Sequence, residues 1–177
     1  MEKTKKKLTT QRIVMAGMLG AICVVLGVTG LGMIPIPNLT GRATILHVPV
    51  IIAGVLEGPI VGALTGLIFG VYSFLTPTGA IPADPIVRIL PRILLGITSA
   101  YAYKACGKHH QIGAALAGVI GTLTNTVGFV GLAILMGYLP ASIVLLILPQ
   151  AFVELLLATV LVVLLLRVIA RSQPHRL

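Results

Sequence analysis

The sequence has no tryptophan, two cysteines and four acidic residues in 177 positions. Charged residues make up 10% of it and aromatics 5%, against roughly 25% charge in an ordinary soluble domain. Each shortage closes off a class of function. Cys23 and Cys106 stand far apart with no metal-ligand spacing, so they suggest neither a disulfide framework nor a zinc site. Cys23 reads as a small filler within a helix. With Asp84 and Glu57 near opposite ends of their segments, the acids offer no pair for general acid–base catalysis. No GxxxxGK[ST], HExxH or GxSxG occurs, which excludes ATP hydrolysis by that loop and two familiar hydrolytic chemistries. The expectation is a protein that is no enzyme, with no catalytic residue, metal or cofactor. An ion-coupled carrier would call for more intramembrane acids and an inverted repeat, and neither is visible.

What is present in excess is apolar. Hydrophobic residues make up 57% of the chain and the mean hydropathy is +1.08, values of an integral membrane protein. The net charge of +9 does not point to nucleic acid, because the cations sit at the ends of apolar runs rather than in a patch interleaved with aromatics. The basic start MEKTKKKLTTQR could imitate a secretory signal. The apolar run from Ile13 to Ile34 is long, however, has no clear cleavage site and is followed by similar runs, so it is expected to be a retained first span.

Six runs approach the ~20 residues a membrane helix needs: about 12–33, 43–57, 59–76, 85–105, 112–136 and 141–169. The second is short and holds Pro49, and Glu57-Gly58-Pro59 makes a tight break before the third. The expected architecture is a single integral membrane domain over 1–177, all-α, with six transmembrane helices. Lys3, Lys5, Lys6, Lys7, Arg12, Lys104, Lys108, Arg167, Arg171 and Arg176 then fall on one side, leaving Arg42, Arg88 and Arg92 for the other. The positive-inside rule makes both termini cytoplasmic.

Depth along these helices singles out a few polar side chains. At ~1.5 Å per residue, Arg88 lies about 5 Å below the outer end of its helix, within reach of the interface and of Asp84, whereas Arg92 lies about 10 Å down. By the same measure His47 sits about 6 Å, Gln150 about 13 Å, Asn125 about 16 Å and Glu154 about 20 Å down. A charge at such depth normally faces a cavity or a partner. Pro91 removes a backbone hydrogen bond and frees the carbonyl of Val87 near the arginines. Each group has a structural alternative: Arg92 could pair with Glu154, and Asn125 could join helices. Together they have the layout of a pocket open to the outside, beneath two long loops rich in Pro, Gly, Thr and Asn.

Small residues form stripes. Ala16 and Gly20, with Gly17 and Ala21 beside them, give the first helix a smooth face next to a basic end, suited to docking another membrane protein. Gly62, Gly66 and Gly70 stripe the third helix, and Gly113, Ala117 and Gly121 lead to Asn125 on the fifth, where packing within the bundle is the favoured reading.

With its basic N-terminus, the motif MAGMLGA, the run HVPVIIAGVLEGPIVGALTGLIFG, then PRILLG and GTLTNT, the chain resembles the substrate-binding S components of energy-coupling factor (ECF) transporters over nearly its whole length. The resemblance implies a bacterial cytoplasmic membrane protein that binds a water-soluble vitamin with high affinity from outside. It implies partners as well: a membrane coupling subunit, docked through the first helix, and two ATPase subunits that do the ATP hydrolysis. The docking motif would be Ala16 and Gly20, with glycine where the family commonly has alanine, or Gly17 and Ala21 in the neighbouring register. Family sites use the first and third outer loops and the outer parts of helices four to six. That makes Arg92, Asn125 and Gln150 pocket candidates, and Asn38, Thr40 and Arg42 lid candidates. The resemblance is nearest to the pantothenate-like and cobalamin-like branches. The carboxylate of pantothenate suits Arg92, small residues permit the wider cobalamin, and the two stay open. A self-sufficient secondary transporter and a membrane scaffold are the competing classes.

Overall fold

The computed structural model describes residues 9–35, 42–77 and 81–172, with the side chains at 35, 42 and 43 outside that description. Asn38 and Thr40 therefore lie outside the described residues, as does the side chain of Arg42. Six helices follow one another: α1 Thr10–Val28, α2 Val48–Glu57, α3 Pro59–Leu75, α4 Pro85–Ala105, α5 His110–Leu135 and α6 Ile143–Ser172. Between α1 and α2 lies a two-stranded antiparallel ribbon, β1 Met33–Pro35 and β2 Arg42–Thr44, in which Met33 faces Thr44.

The ribbon is where the structure departs from the hydropathy reading. Residues 29–33 and 43–47 are apolar enough to extend the first two spans, but α1 ends at Val28, Gly30 turns with φ +72, and the chain pairs with itself instead. The second helix is left with 10 residues, which rise about 15 Å, half of a ~30 Å hydrocarbon layer. Pro49 fits there because it occupies the first turn, where its missing N–H has no intrahelical partner to lose. Gly58, at φ +92, makes the reversal into α3, and Pro59 opens that helix. Four helices, α1, α4, α5 and α6, are long and apolar enough to cross a membrane, while α2 and α3 are shorter.

The shortest helix is the most buried. Every residue of α2 from Val48 to Val55 is in the interior, and α1, α3, α4, α5 and α6 all pack on it. This explains why it is apolar all round. The outward faces of its neighbours are apolar too: Val14, Met18, Ile22 and Val25 on α1, and Leu145, Phe152, Leu156, Val160 and Leu164 on α6, are exposed. A lipid-facing surface of this kind needs no polar coat.

The glycine stripe of α3 sets the closest approach in the bundle. A Cβ built on Gly62 would lie 2.5 Å from the carbonyl oxygen of Gly96, and one on Gly66 would collide with the carbonyl of Arg92. Backbone faces backbone along α3 and α4, so the stripe does pack within the bundle. The stripe on α5 behaves likewise, Gly113 against Tyr103 and Gly121 against Ile51 and Ser99. Cys23 is fully buried, as a filler should be.

The cations gather at one end. Arg12 on α1 pairs with Glu57 at the end of α2, Nε to Oε2 3.3 Å, and a second guanidinium nitrogen bonds the Glu57 carbonyl. Arg167 near the end of α6 donates to Gln111 at the start of α5, 2.9 Å. Lys104 closes α4 at the same end, near the Gly58 turn.

Candidate ligand-binding site

The N-terminal start of α4 is built by its own sequence. Asp84 caps the helix, accepting from the N–H of Ile86 at 2.8 Å and of Val87 at 3.2 Å, and Pro85 follows at the first helical position. Tyr138, in the turn after α5, donates its hydroxyl to the other Asp84 oxygen at 2.9 Å. The Val87 N–H, and after it Tyr138 and the Ile86 N–H, hold this carboxyl below the usual carboxylate range.

That cap corrects the expectation that Arg88 neutralises Asp84. Arg88 is 2% exposed and turns to backbone: Nε donates to Pro82 O at 3.0 Å, Nη1 to Ser73 O at 3.1 Å and Nη2 to Ile81 O at 2.5 Å. One guanidinium thus clasps the connection between α3 and α4. The rigid five-donor fork suits this task better than a lysine would.

Arg92, one turn deeper and 7% exposed, is held differently. Its Nη1 donates to the Val87 carbonyl at 3.1 Å, the acceptor that Pro91 strips of its helical donor. The guanidinium lies 4.4 Å above the centre of the Phe129 ring and 5.7 Å from that of Phe69, within cation–π range. Its Nε is buried with no hydrogen-bond partner. No carboxylate among the described residues pairs with Arg92. Glu154, the alternative partner, accepts instead from the backbone N–H of Thr44 at 2.8 Å and from Gln150 Nε2 at 3.1 Å. The intramembrane acid on α6 therefore fastens the ribbon, not the arginine.

The remaining candidates continue the cluster. Asn125 stands one turn before Phe129 on α5, and its Oδ1 is buried without a partner. Thr122, on the same face, meets His47 Nε2 at 3.0 Å. His47, wholly buried at the start of α2, leaves its Nδ1 unpartnered. The run Arg92–Phe129–Asn125–Thr122–His47 is linked step by step by ring contact, helix spacing and hydrogen bond, while Thr44, Gln150 and Glu154 form a second bonded group between the ribbon and α6. Each stranded polar atom costs roughly 1–3 kcal/mol if it stays unpaired. Arg92 Nε, Asn125 Oδ1 and His47 Nδ1 are all left in this state.

Sequence reasoning missed Phe129, Phe69, Thr122 and Thr44. Phe129 was within reach, since it extends the Asn125 face by one turn. Thr44 acts through its backbone N–H, which no side-chain pattern reports.

On α1, Ala16 and Gly20 face inward. Ala16 is buried beside Ala53 and Val61, and a Cβ on Gly20 would lie 2.6 Å from Ile68 on α3. Gly17 and Ala21 are exposed, with nothing within 4 Å of a Cβ built on Gly17.

The comparisons with known proteins agree with this architecture. The family described as "ECF transporter, substrate-specific component" matches residues 11–166. The chain is similar to the pantothenic acid transporter PanT of Lactococcus lactis subsp. cremoris (strain MG1363), 36% identical over 106 residues, a match taking in 49% of this chain and 53% of the relative. The chain thus spans about half the length of the curated relative it matches. Its fold is similar to that of a solved S component of a bacterial ECF transporter, with TM-score 0.65 and 23% identity over 92% of this chain and 96% of the other. A match over nearly the whole chain, joined to this fold, means that the protein belongs to the substrate-specific S components of ECF transporters and is a multi-pass protein of the bacterial cell membrane.

Proposed function

We propose that the chain binds pantothenate in the cluster around Arg92 and hands it to a membrane coupling subunit driven by two ATPases. The observation that carries the substrate is the chemistry of the unpartnered atoms. Arg92 offers a buried cation with no carboxylate of its own among the described residues, Asn125 Oδ1 offers an acceptor, and His47 Nδ1 offers a ring nitrogen that accepts or donates according to its tautomer. Pantothenate is the complement, with one carboxylate, two hydroxyls and an amide N–H. The guanidinium takes the carboxylate in a charge-assisted, two-pronged bond, Asn125 Oδ1 takes a hydroxyl or amide proton, and His47 Nδ1 bonds a hydroxyl, which serves either tautomer. Gln150 lines the same site while holding Glu154, and Glu154 holds the ribbon that roofs it. Arg42, at the start of β2, and Asn38 and Thr40, which precede it in the sequence, are the lid residues of this proposal. The 36% identity to a pantothenic acid transporter supports this cargo over cobalamin.

The topology proposed with it has six membrane crossings, α2 and α3 inserting as short, broken elements, and both termini in the cytoplasm. The gathering of Arg12, Lys104, Arg167 and Arg171 at one end supports that orientation. Coupling is assigned to the exposed Gly17 and Ala21 face of α1, because Ala16 and Gly20 are occupied by α3.

Thermal unfolding of the purified chain with a panel of water-soluble vitamins tests the cargo. A ligand that binds only the native state adds about 2.7 kcal/mol at a hundredfold its dissociation constant. Pantothenate should give that shift and cobalamin none; the reverse result, or a flat panel, would remove pantothenate as the cargo.

A further inference from the structure

The end that carries the cations also carries a cleft. It measures about 350 Å³ and lies between the last turn of α4, the first of α5 and the last of α6. Tyr103, His110, Gln111, Arg167 and Arg171 form its rim, and apolar side chains such as Leu166 form its floor. Two internal bonds shape the rim: Tyr103 Oη lies 2.8 Å from His110 Nδ1, and Arg167 Nη2 donates to Gln111 Oε1 at 2.9 Å. Neither bond supplies negative charge. Of the acids among the described residues, Glu57 is taken by Arg12, Asp84 caps α4 at the opposite end, and Glu154 binds Thr44 and Gln150. Arg167 and Arg171 therefore have no carboxylate partner among the described residues. The first turn of α5 begins at His110 on this rim, and no side chain caps it, so its N–H groups add to the positive field. On the outside of α6, Leu164, Leu165 and Val168 are exposed beside the cleft. The opening thus stands at the level where acyl chains meet headgroups.

We propose that this cleft is a binding site for an anionic phospholipid, its phosphate held by Arg167 and Arg171 and its glycerol and first methylenes resting on the Leu166 floor. Basic pockets between helices at a membrane surface take lipid phosphates in this way. The paired cations supply the charge, the planar guanidinium matches the phosphate oxygens, and the apolar floor has a use for a lipid that it lacks for a free ion. The site is separate from the Arg92 cluster, its arginines lying on α6 beyond Glu154 by about four to five turns.

The test uses the full chain in nanodiscs or detergent, with phosphatidylglycerol, phosphatidylcholine and inorganic phosphate as probes. Native mass spectrometry should show one phosphatidylglycerol retained per chain and no comparable phosphatidylcholine. R167Q/R171Q should weaken that retention about thirty-fold, as expected for two cations near an anionic surface. R167K/R171K should keep most of it, and K108Q, which removes a cation outside the cleft, should change it less than threefold. Equal retention of the two lipids overturns the proposal, as does an equal loss in K108Q, which would mean general surface charge. Stabilisation by inorganic phosphate that matches phosphatidylglycerol would make it a free-anion site. Failure of R167Q/R171Q to assemble with the coupling subunit, with no lipid retained by the parent chain, would make it a protein contact.

Discussion

Two arginines one turn apart on α4 do unlike work, and single substitutions should separate them. Arg88 satisfies three backbone carbonyls. Arg88→Ala strands these acceptors and should cost about 2–4 kcal/mol of stability, read as a lower melting temperature with ligand absent. Arg92 donates to the Val87 carbonyl and lies over Phe129. Arg92→Gln gives up one such bond against three, so it should lower melting less than Arg88→Ala and weaken pantothenate binding ten- to hundredfold, the worth of a charged hydrogen bond; unchanged affinity by titration calorimetry would take Arg92 out of the site. Asp84 gives a pH signature outside the membrane. Its folded carboxyl titrates below the ordinary value, so its contribution is fully present above about pH 4 and fades as pH falls through the lowered folded value. Melting curves of the parent chain and Asp84→Asn should differ by a constant amount at neutral pH and converge in acid. Depth along a helix was enough to pick out Arg92, and Pro91 was enough to predict a freed Val87 carbonyl, which Arg92 now fills. The partners of Arg88 were not legible, because they are carbonyls at and beyond the ends of helices. The i, i+4 spacing from Asp84 pointed instead to a pair that helix capping pre-empts.

At the scale of the element, small residues decide which faces meet. Gly66 abuts the backbone of Arg92 and Ile93, which cannot swing aside as a side chain could. Gly66→Ala should destabilise the fold by about 1–3 kcal/mol through overpacking and should disturb binding with it. On α1 the same chemistry splits by register. Gly20→Leu strikes Ile68 inside the bundle and should lower stability, whereas Gly17→Leu meets open space and should leave folding and binding intact while blocking uptake in cells. Uptake that survives Gly17→Leu would move the coupling face elsewhere. Hydropathy placed all six helices, because apolar length is a local property. It overran α1 and began α2 too early, since a Gly-turned ribbon pairing Met33 with Thr44 is a long-range choice that apolar content does not report. Which of the Ala16 and Gly17 registers faces the bundle likewise depends on the position of α3.

At the scale of the whole molecule, the fold wraps five helices around a short buried one and gathers Arg12, Lys104, Arg167 and Arg171 at one end. Arg88 and Arg92 lie toward the other, and Glu154 ties down the ribbon through Thr44. Arg88, Arg92 and Glu154 are the buried charged side chains among the described residues, and each is held by hydrogen bonds to backbone or to a polar side chain. The central claim is that Arg92 reads a carboxylate. The most direct test compares the affinities of pantothenate and of its alcohol analogue, in which the carboxylate is replaced by a hydroxymethyl group, for the parent chain and for Arg92→Gln. Pantothenate should bind the parent chain at least about tenfold more tightly than the alcohol, and that preference should vanish in the variant. Equal affinities in the parent chain, or a preference that survives the substitution, would contradict the account.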